Sequence, residues 1–144
     1  LAGFGLTFRP IHRQLRARAG IDDAVARVLA TWGGPARLDE AAAKARSAAD
    51  VYTSVGAAVD AAHAHWLIGR LAVTKGEPAA ALDDLRLAVR LFEETGRRER
   101  PAYRAAAKDL AAALRAVGHD DEADTLVKAL AADGADTAPE DLTD

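Results

Sequence analysis

Apolar residues recur along most of the chain at spacings of three and four, and Gly or Pro interrupts this pattern at regular intervals. Such spacing is typical of amphipathic helices that turn one face toward a core. We expect six main helices: the first from near Ile21 to Gly33, and the others over residues 37–54, 57–74, 77–94, 101–117 and 120–132. Gly56 and Gly76 follow helix ends, and Pro78 lies in a first turn, where its missing N–H costs nothing.

The helical pattern also repeats along the chain. The residues Ala41, Ala45, Ala48, Tyr52 and Gly56 are matched 40 positions later by Ala81, Leu85, Ala88, Phe92 and Gly96. A shift of 42 relates Gly76 and Ala81 to Gly118 and Ala123, although Leu82 then falls on Asp124, a mismatch. Periods of this length indicate stacked helical hairpins, each of which buries its apolar face against the next. We therefore predict an all-α fold of about three antiparallel hairpins.

Composition agrees with helices and excludes several classes of protein. Alanine accounts for 37 of the 144 residues, whereas Ile occurs three times and aromatic residues make up 5%, which favours helix over sheet. The chain has no Cys, which excludes disulfides, thiolate zinc sites and iron–sulfur clusters. No apolar run approaches the roughly 20 residues of a membrane span, so we expect no membrane partner and a cytoplasmic location. Arg outnumbers Lys by 15 to 4, which together with the alanine excess is typical of a GC-rich bacterial genome.

Charge divides the chain into three segments. Residues 1–20 contain four Arg and no acid, and we interpret them as a basic N-terminal segment, the end of an upstream element. Residues 21–132 hold the repeat domain. Residues 133–144 contain five acids and no base, and we expect them to form a mobile acidic tail.

One stretch resembles a known family. From residue 62 to residue 95, Gly69, Gly76, Ala81, Leu85 and Ala88 stand where the tetratricopeptide (TPR) repeat prefers Gly, Gly, Ala, a bulky apolar residue and Ala. The units at 22–55 and 104–137 are similar to the motif at fewer positions, and the spacing is similar to that of long-period bacterial repeats. The resemblance implies a right-handed, TPR-like solenoid that serves as a non-catalytic protein-interaction module, here within a larger bacterial regulatory or signalling protein.

The resemblance also implies where a partner binds, because the first helix of each TPR hairpin lines the concave groove. By this register, the candidate groove residues are His63, Trp66, Arg70, Lys108 and Arg115. This mostly cationic set suits an acidic peptide or a C-terminal carboxylate, with Trp66 as an anchor. The alternative interpretation of Trp66 is a core residue, and that of Arg70 and Lys108 is ordinary solvated charge.

Two other functions remain open from the residues. Leu126, Val127 and Leu130 form a stripe on the last helix, which predicts self-association as a homodimer if that helix is uncapped. The Arg-rich N-terminus and the run at residues 97–100 are candidates for nucleic-acid contact, although the net charge of −3 argues against nucleic acid as a partner.

Catalytic and metal-binding patterns are missing from the sequence. No G-x-S-x-G, H-E-x-x-H, phosphate-loop or dinucleotide pattern occurs, and the only serines are Ser47 and Ser54. His63 and His65 are two residues apart and point to different sides of a helix. We expect no enzyme, no metal and no cofactor.

Overall fold

The computed structural model describes the backbone of residues 2–96 and 101–143, and the side chains of residues 11–96 and 101–132. It contains six α-helices: α1 (Ala2–Trp32), α2 (Leu38–Ser54), α3 (Ala58–Thr74), α4 (Pro78–Glu94), α5 (Pro101–Ala116) and α6 (Asp120–Thr143). A 3-10 turn, Pro35–Arg37, joins α1 to α2. Each helix packs against its neighbours in the chain, and α3 also contacts α1 and α5. The predicted all-α stack of three hairpins is confirmed.

The prediction that the first helix starts near Ile21 is wrong, because α1 begins at Ala2. Tertiary contacts explain the turn that directly precedes Ile21. Ala19 is buried in the core shared with α2, and Nε of Arg16 donates a hydrogen bond of 2.9 Å to Asp60 at the start of α3. The later part of the predicted basic segment is therefore continuous with the first hairpin.

The C-terminal helix α6 extends past the predicted end at residue 132 and reaches Thr143. The side chains of residues 133–144 lie outside the described part, so the acidic tail stays a prediction. The Arg-rich run at residues 97–100 also lies outside the described residues.

Two buried clusters hold the stack together, and α3 contributes to both of them. One cluster joins α1, α2 and the face of α3 that contains Ile68. The other joins α3 to α4, α5 and α6 through Ala62, Leu85, Phe92 and Tyr103. Because α3 is covered on both sides, the second hairpin is the most buried of the three among the residues whose side chains are described.

Close packing and sharp turns both depend on glycine. A Cβ on Gly69 would lie 2.5 Å from Cγ of the buried Leu85, so only Gly allows α3 and α4 to approach this closely. Gly76 ends α3 with a φ of 81°, in the left-handed region. The N–H of Glu77 then donates to the carbonyl of Ala72 at 2.9 Å, which closes the helix end.

Candidate functional site

The side chain of Trp66 connects α3 to α5 and supports a neighbouring cation. Its indole N–H donates a hydrogen bond of 2.7 Å to Oδ2 of Asp109 on α5. Its ring is half-buried and packs against the core, and the guanidinium of Arg70 lies 5.5 Å from the ring centroid. Trp66 is therefore partly a core residue and supports the guanidinium of Arg70, and its role as an anchor for a partner stays a prediction.

Arg70 is exposed one turn further along α3. No carboxylate among the described residues pairs with it. The cation–π contact restricts the position of the guanidinium while leaving its donors free for an incoming acceptor. The structure thus places Trp66 and Arg70 together, as the sequence predicts.

Arg70 and Thr74 are shared by two depressions on this side of the stack. The first has a volume of about 420 Å³ and lies between α1 and α3; its lining includes Arg27, Thr31, Arg70 and Thr74. Because two arginines and two threonines meet there, this depression is polar and cationic, although Arg27 also pairs with Asp23 at 3.3 Å. It is suited to an anionic group.

The second depression, of about 250 Å³, lies between α3 and α5. Its lining is mostly apolar and includes Val73, Leu85, Ala112, Ala113 and Ala116. Asp109 is its acidic member, and one oxygen of that carboxylate is already held by the Trp66 indole. This depression is suited to a small apolar side chain, and the two depressions together form the groove between α1, α3 and α5.

His63, another predicted groove residue, lines neither depression and packs against aromatic rings beside them. Its ring contacts the ring of Phe92 edge-on, with centroids 5.1 Å apart, and lies 6.1 Å from Trp66. Burial lowers the pKa of His63, and the charge of Arg27 lowers it further. The imidazole is therefore neutral at pH 7, and its role in the site is apolar contact.

Lys108 and Arg115, the predicted groove residues of α5, are placed differently from one another. Lys108 is exposed and has no ion pair with another described residue. Arg115 donates to Oδ1 of Asp124 on α6 at 2.8 Å, so its charge is matched within its own hairpin. Neither residue lines the two depressions, and the groove cation missed by the sequence is Arg27.

The stripe predicted on α6 is largely part of the core. Leu130 is buried and Leu126 is half-buried against the same cluster, and only Val127 is exposed. Helix α6 turns this stripe inward because it packs against α5. A dimer through Leu126 and Leu130 would need that hairpin to open.

A buried polar network on the other side of the stack was not found from the sequence. Two hydrogen bonds of 2.9 Å join Arg46 of α2 to Asp84 of α4, and Nδ1 of the buried His65 lies 2.8 Å from Oδ1 of Asp84. Burial alone would raise the pKa of Asp84, but the hydrogen bonds from His65 and Arg46 outweigh it and hold the pKa below its ordinary value. One feature of the sequence points to this network. Arg46 has a counterpart 40 residues later, Arg86, and Arg86 forms an equivalent pair with Glu122 of the next hairpin at 2.8 Å. The network has the geometry of a structural clamp between hairpins.

Among the described residues, no group of three or more His, Asp or Glu side chains is placed to hold a metal ion. The same part of the chain contains no helix that is both long enough and apolar enough to cross a membrane.

Comparison with known proteins identifies the fold. No family model and no curated protein matches the sequence. Among solved structures, the chain is similar to a crystal structure from Podospora anserina described as a kinesin light chain with nearly identical TPR-like repeats, with a TM-score of 0.68 and 22% identity. The match covers 85% of this chain and 57% of the other, so the chain spans a little over half of the protein it matches. The fold is a TPR-like helical-repeat solenoid.

Proposed function

We propose that this chain is a non-catalytic interaction module that binds an acidic segment of a protein partner in the groove between α1, α3 and α5. The observation that carries the proposal is the state of Arg70. Its guanidinium is exposed, stacked on Trp66 and not paired with any carboxylate in the described part of the chain. A partner carboxylate would form charge-assisted hydrogen bonds with it at little cost in side-chain entropy.

The two depressions define the ligand more closely. An acidic group, either a Glu or Asp side chain or a C-terminal carboxylate, binds between Arg27 and Arg70. A small apolar side chain next to it binds against Ala112 and Ala116. Asp109 repels a second acid at the apolar depression, so the preferred motif is one acid beside one apolar residue rather than a run of acids.

The wider setting is part of the same proposal. The chain acts in the cytoplasm as the interaction segment of a larger bacterial regulatory protein. The Arg-rich, Ala-rich composition supports the bacterial origin, and the TPR-like fold supports the interaction role.

Fluorescence of Trp66 provides a direct test, because the chain contains only two Trp and the other is Trp32. In a Trp32→Phe background, Trp66 emission is followed while a peptide ending in Ala-Val-Glu with a free C-terminus is added. The comparison peptides are its C-terminally amidated form and a form with Lys in place of Glu. We expect saturable binding of the first peptide, weaker binding of the second and none of the third.

The matched variants are Arg70→Glu and Arg90→Glu, which make the same charge change inside and outside the groove. Arg90 is exposed on α4 and pairs only loosely with Glu94, at 3.8 Å. We expect Arg70→Glu to weaken binding at least tenfold and Arg90→Glu to weaken it less than twofold. Equal effects of the two variants, or equal binding of the Glu and Lys peptides, would refute the proposed groove.

A further inference from the structure

Four large apolar side chains are exposed along one face of α1. They are Ile21 (64% exposed), Val25 (38%), Val28 (57%) and Trp32 (82%), and we call them the α1 stripe. Their spacing of 4, 3 and 4 residues places them in a single row. They make up four of the seven large hydrophobic side chains that are exposed in the described part of the chain, so this face is the main apolar surface found there.

The repeat explains why α1 has such a face. A shift of 43 residues places Ala19 and Ala26 of α1 on Ala62 and Gly69 of α3, and all four are small residues at close helix contacts. The same shift places the stripe residues Ile21, Val25 and Val28 on Ala64, Ile68 and Leu71. In α3 these three residues are buried in the cluster shared with α2. The α1 stripe is therefore the face that receives a helix elsewhere in the stack.

We propose that the α1 stripe pairs with the α1 stripe of a second copy of this chain, with the two helices antiparallel. A two-fold axis between Val25 and Val28 places these two residues opposite each other and places Ile21 opposite Trp32 of the second copy. Row spacings of 3 and 4 residues are those of helices that pack as knobs into holes. Ala24 lies beside the row and leaves room for the large indole.

Charge favours the antiparallel arrangement. The row continues toward the N-terminus at Arg18, which is exposed and has no ion pair with another described residue. In the antiparallel pair, Arg18 lies about one turn from Trp32 of the second copy, within reach of a cation–π contact. The two Arg18 side chains are then roughly 25 Å apart along the helices, at 1.5 Å per residue. A parallel pair would place them against each other.

Helix α1 itself argues for a second copy over another hairpin of the same chain. The short turns of this stack follow helices of 16 or 17 residues in α2, α3, α4 and α5. Helix α1 is helical back to Ala2, which lies about 28 Å from Ile21 along the helix. A preceding helix of 16 or 17 residues that ran antiparallel to α1 from such a turn would span about 25 Å and stop short of the stripe.

The patch is of modest size. A contiguous apolar patch of a few hundred Å² is often functional on a monomeric protein. Pairing two such patches buries roughly 1,000 Å² in total, at the lower limit of specific interfaces. We therefore expect a weak dimer whose formation depends on concentration in the range that sedimentation can follow.

Sedimentation velocity over a concentration range from about 1 µM to 1 mM tests the pairing. The wild-type chain should shift from monomer to dimer, and Val28→Glu and Trp32→Glu should both remain monomeric at the highest concentration. Trp32 is almost fully exposed, so its substitution leaves the fold intact, and circular dichroism checks this for both variants. Val127→Glu is the matched control on α6, where Val127 is 43% exposed, and it should dimerise like the wild type. A chain that is monomeric throughout, or a dimer lost in Val127→Glu and kept in Val28→Glu, overturns the proposal.

Cysteine cross-linking tests the orientation, because the chain has no Cys of its own. Under mild oxidation, Val28→Cys should form a disulfide-linked dimer, since the two positions lie close to the two-fold axis. Arg18→Cys should not. Efficient cross-linking of Arg18→Cys, or failure of Val28→Cys to cross-link at a concentration where dimer is present, excludes the antiparallel pair.

Discussion

The carboxylate of Asp84 is the point at which α2, α3 and α4 are joined, and Asp84→Asn is the most informative single substitution in this chain. Asp84 accepts two hydrogen bonds from Arg46 and one from His65. Asn has nearly the same volume, so packing is kept. Its amide nitrogen, however, meets a donor of either Arg46 or His65, so at least one hydrogen bond is lost together with the charge.

The size of the effect follows from burial. Breaking a fully buried ion pair costs roughly 3–5 kcal/mol, and a hydrogen bond to a charged group contributes roughly 1.5–3 kcal/mol. His65 and Asp84 are buried, but the side chain of Arg46 is half exposed, so solvent screens its part of the interaction. We expect Asp84→Asn to lower the free energy of unfolding by about 2 kcal/mol at pH 7.

Glu122→Gln is the matched control in the next hairpin. Arg86 donates two hydrogen bonds to Glu122, at 3.2 and 2.8 Å, so the pair resembles that of Arg46 and Asp84 but is exposed on both sides. Its loss should change the free energy of unfolding by less than about 0.5 kcal/mol. Urea denaturation followed by circular dichroism measures both variants.

The dependence of stability on acidic pH provides a second test of the role of Asp84. The pKa of Asp84 is lower in the folded chain than its ordinary value of 3.8, so the unfolded chain binds a proton first as the pH falls. The contribution of Asp84 is therefore complete above about pH 5 and is lost as the pH falls through the folded pKa. The stability difference between wild type and Asp84→Asn should shrink between pH 5 and pH 2.5. Equal losses for Asp84→Asn and Glu122→Gln at pH 7, or a difference that does not change with pH, would refute the view that burial makes this pair important.

Two further substitutions test how the helices are packed and ended. Gly69→Ala should lower the free energy of unfolding by about 1–2 kcal/mol, because overpacking against Leu85 exceeds the gain in helix propensity. In a Leu85→Ala background the same change should be neutral or stabilising. A loss of stability that persists in that background would place the clash elsewhere. Gly76→Ala should cost about 1 kcal/mol in thermal or urea denaturation, because an L-residue is strained at a φ of 81° although no atom lies within 4 Å of the new Cβ. Gly76→Asn should cost less, since Asn tolerates this conformation, and equal losses for the two would indicate a steric cause.

Only some contacts of the candidate groove could be predicted. Trp66 and Arg70 lie side by side because both are on one helix, where the helical register fixes which side chains are neighbours. Arg115 stays a predicted groove residue, but its hydrogen bond to Asp124 could not be predicted because Asp124 is on the following helix. Arg27 was missed because the first two repeats were aligned with a shift of 40 residues. The buried Ala19 and Ala26 match small residues of α3 only at a shift of 43, and that shift places Arg27 on Arg70.

The sequence by itself determined both ends of α2 to α5 and the pairing of the helices into hairpins, but not the start of α1 or the end of α6. The features it determined depend on residues a few positions apart, such as the glycine that follows each of α1 to α5 and the apolar spacing of each face. Only the tertiary structure decided which polar groups meet, as Trp66 does with Asp109 across 43 residues and Arg46 with Asp84 across 38. Such contacts depend on the rotation and offset of each helix against its neighbours, which arise from the packing of all six helices together. For the same reason, only the structure shows that the stripe on α6 turns inward while the stripe on α1 stays exposed.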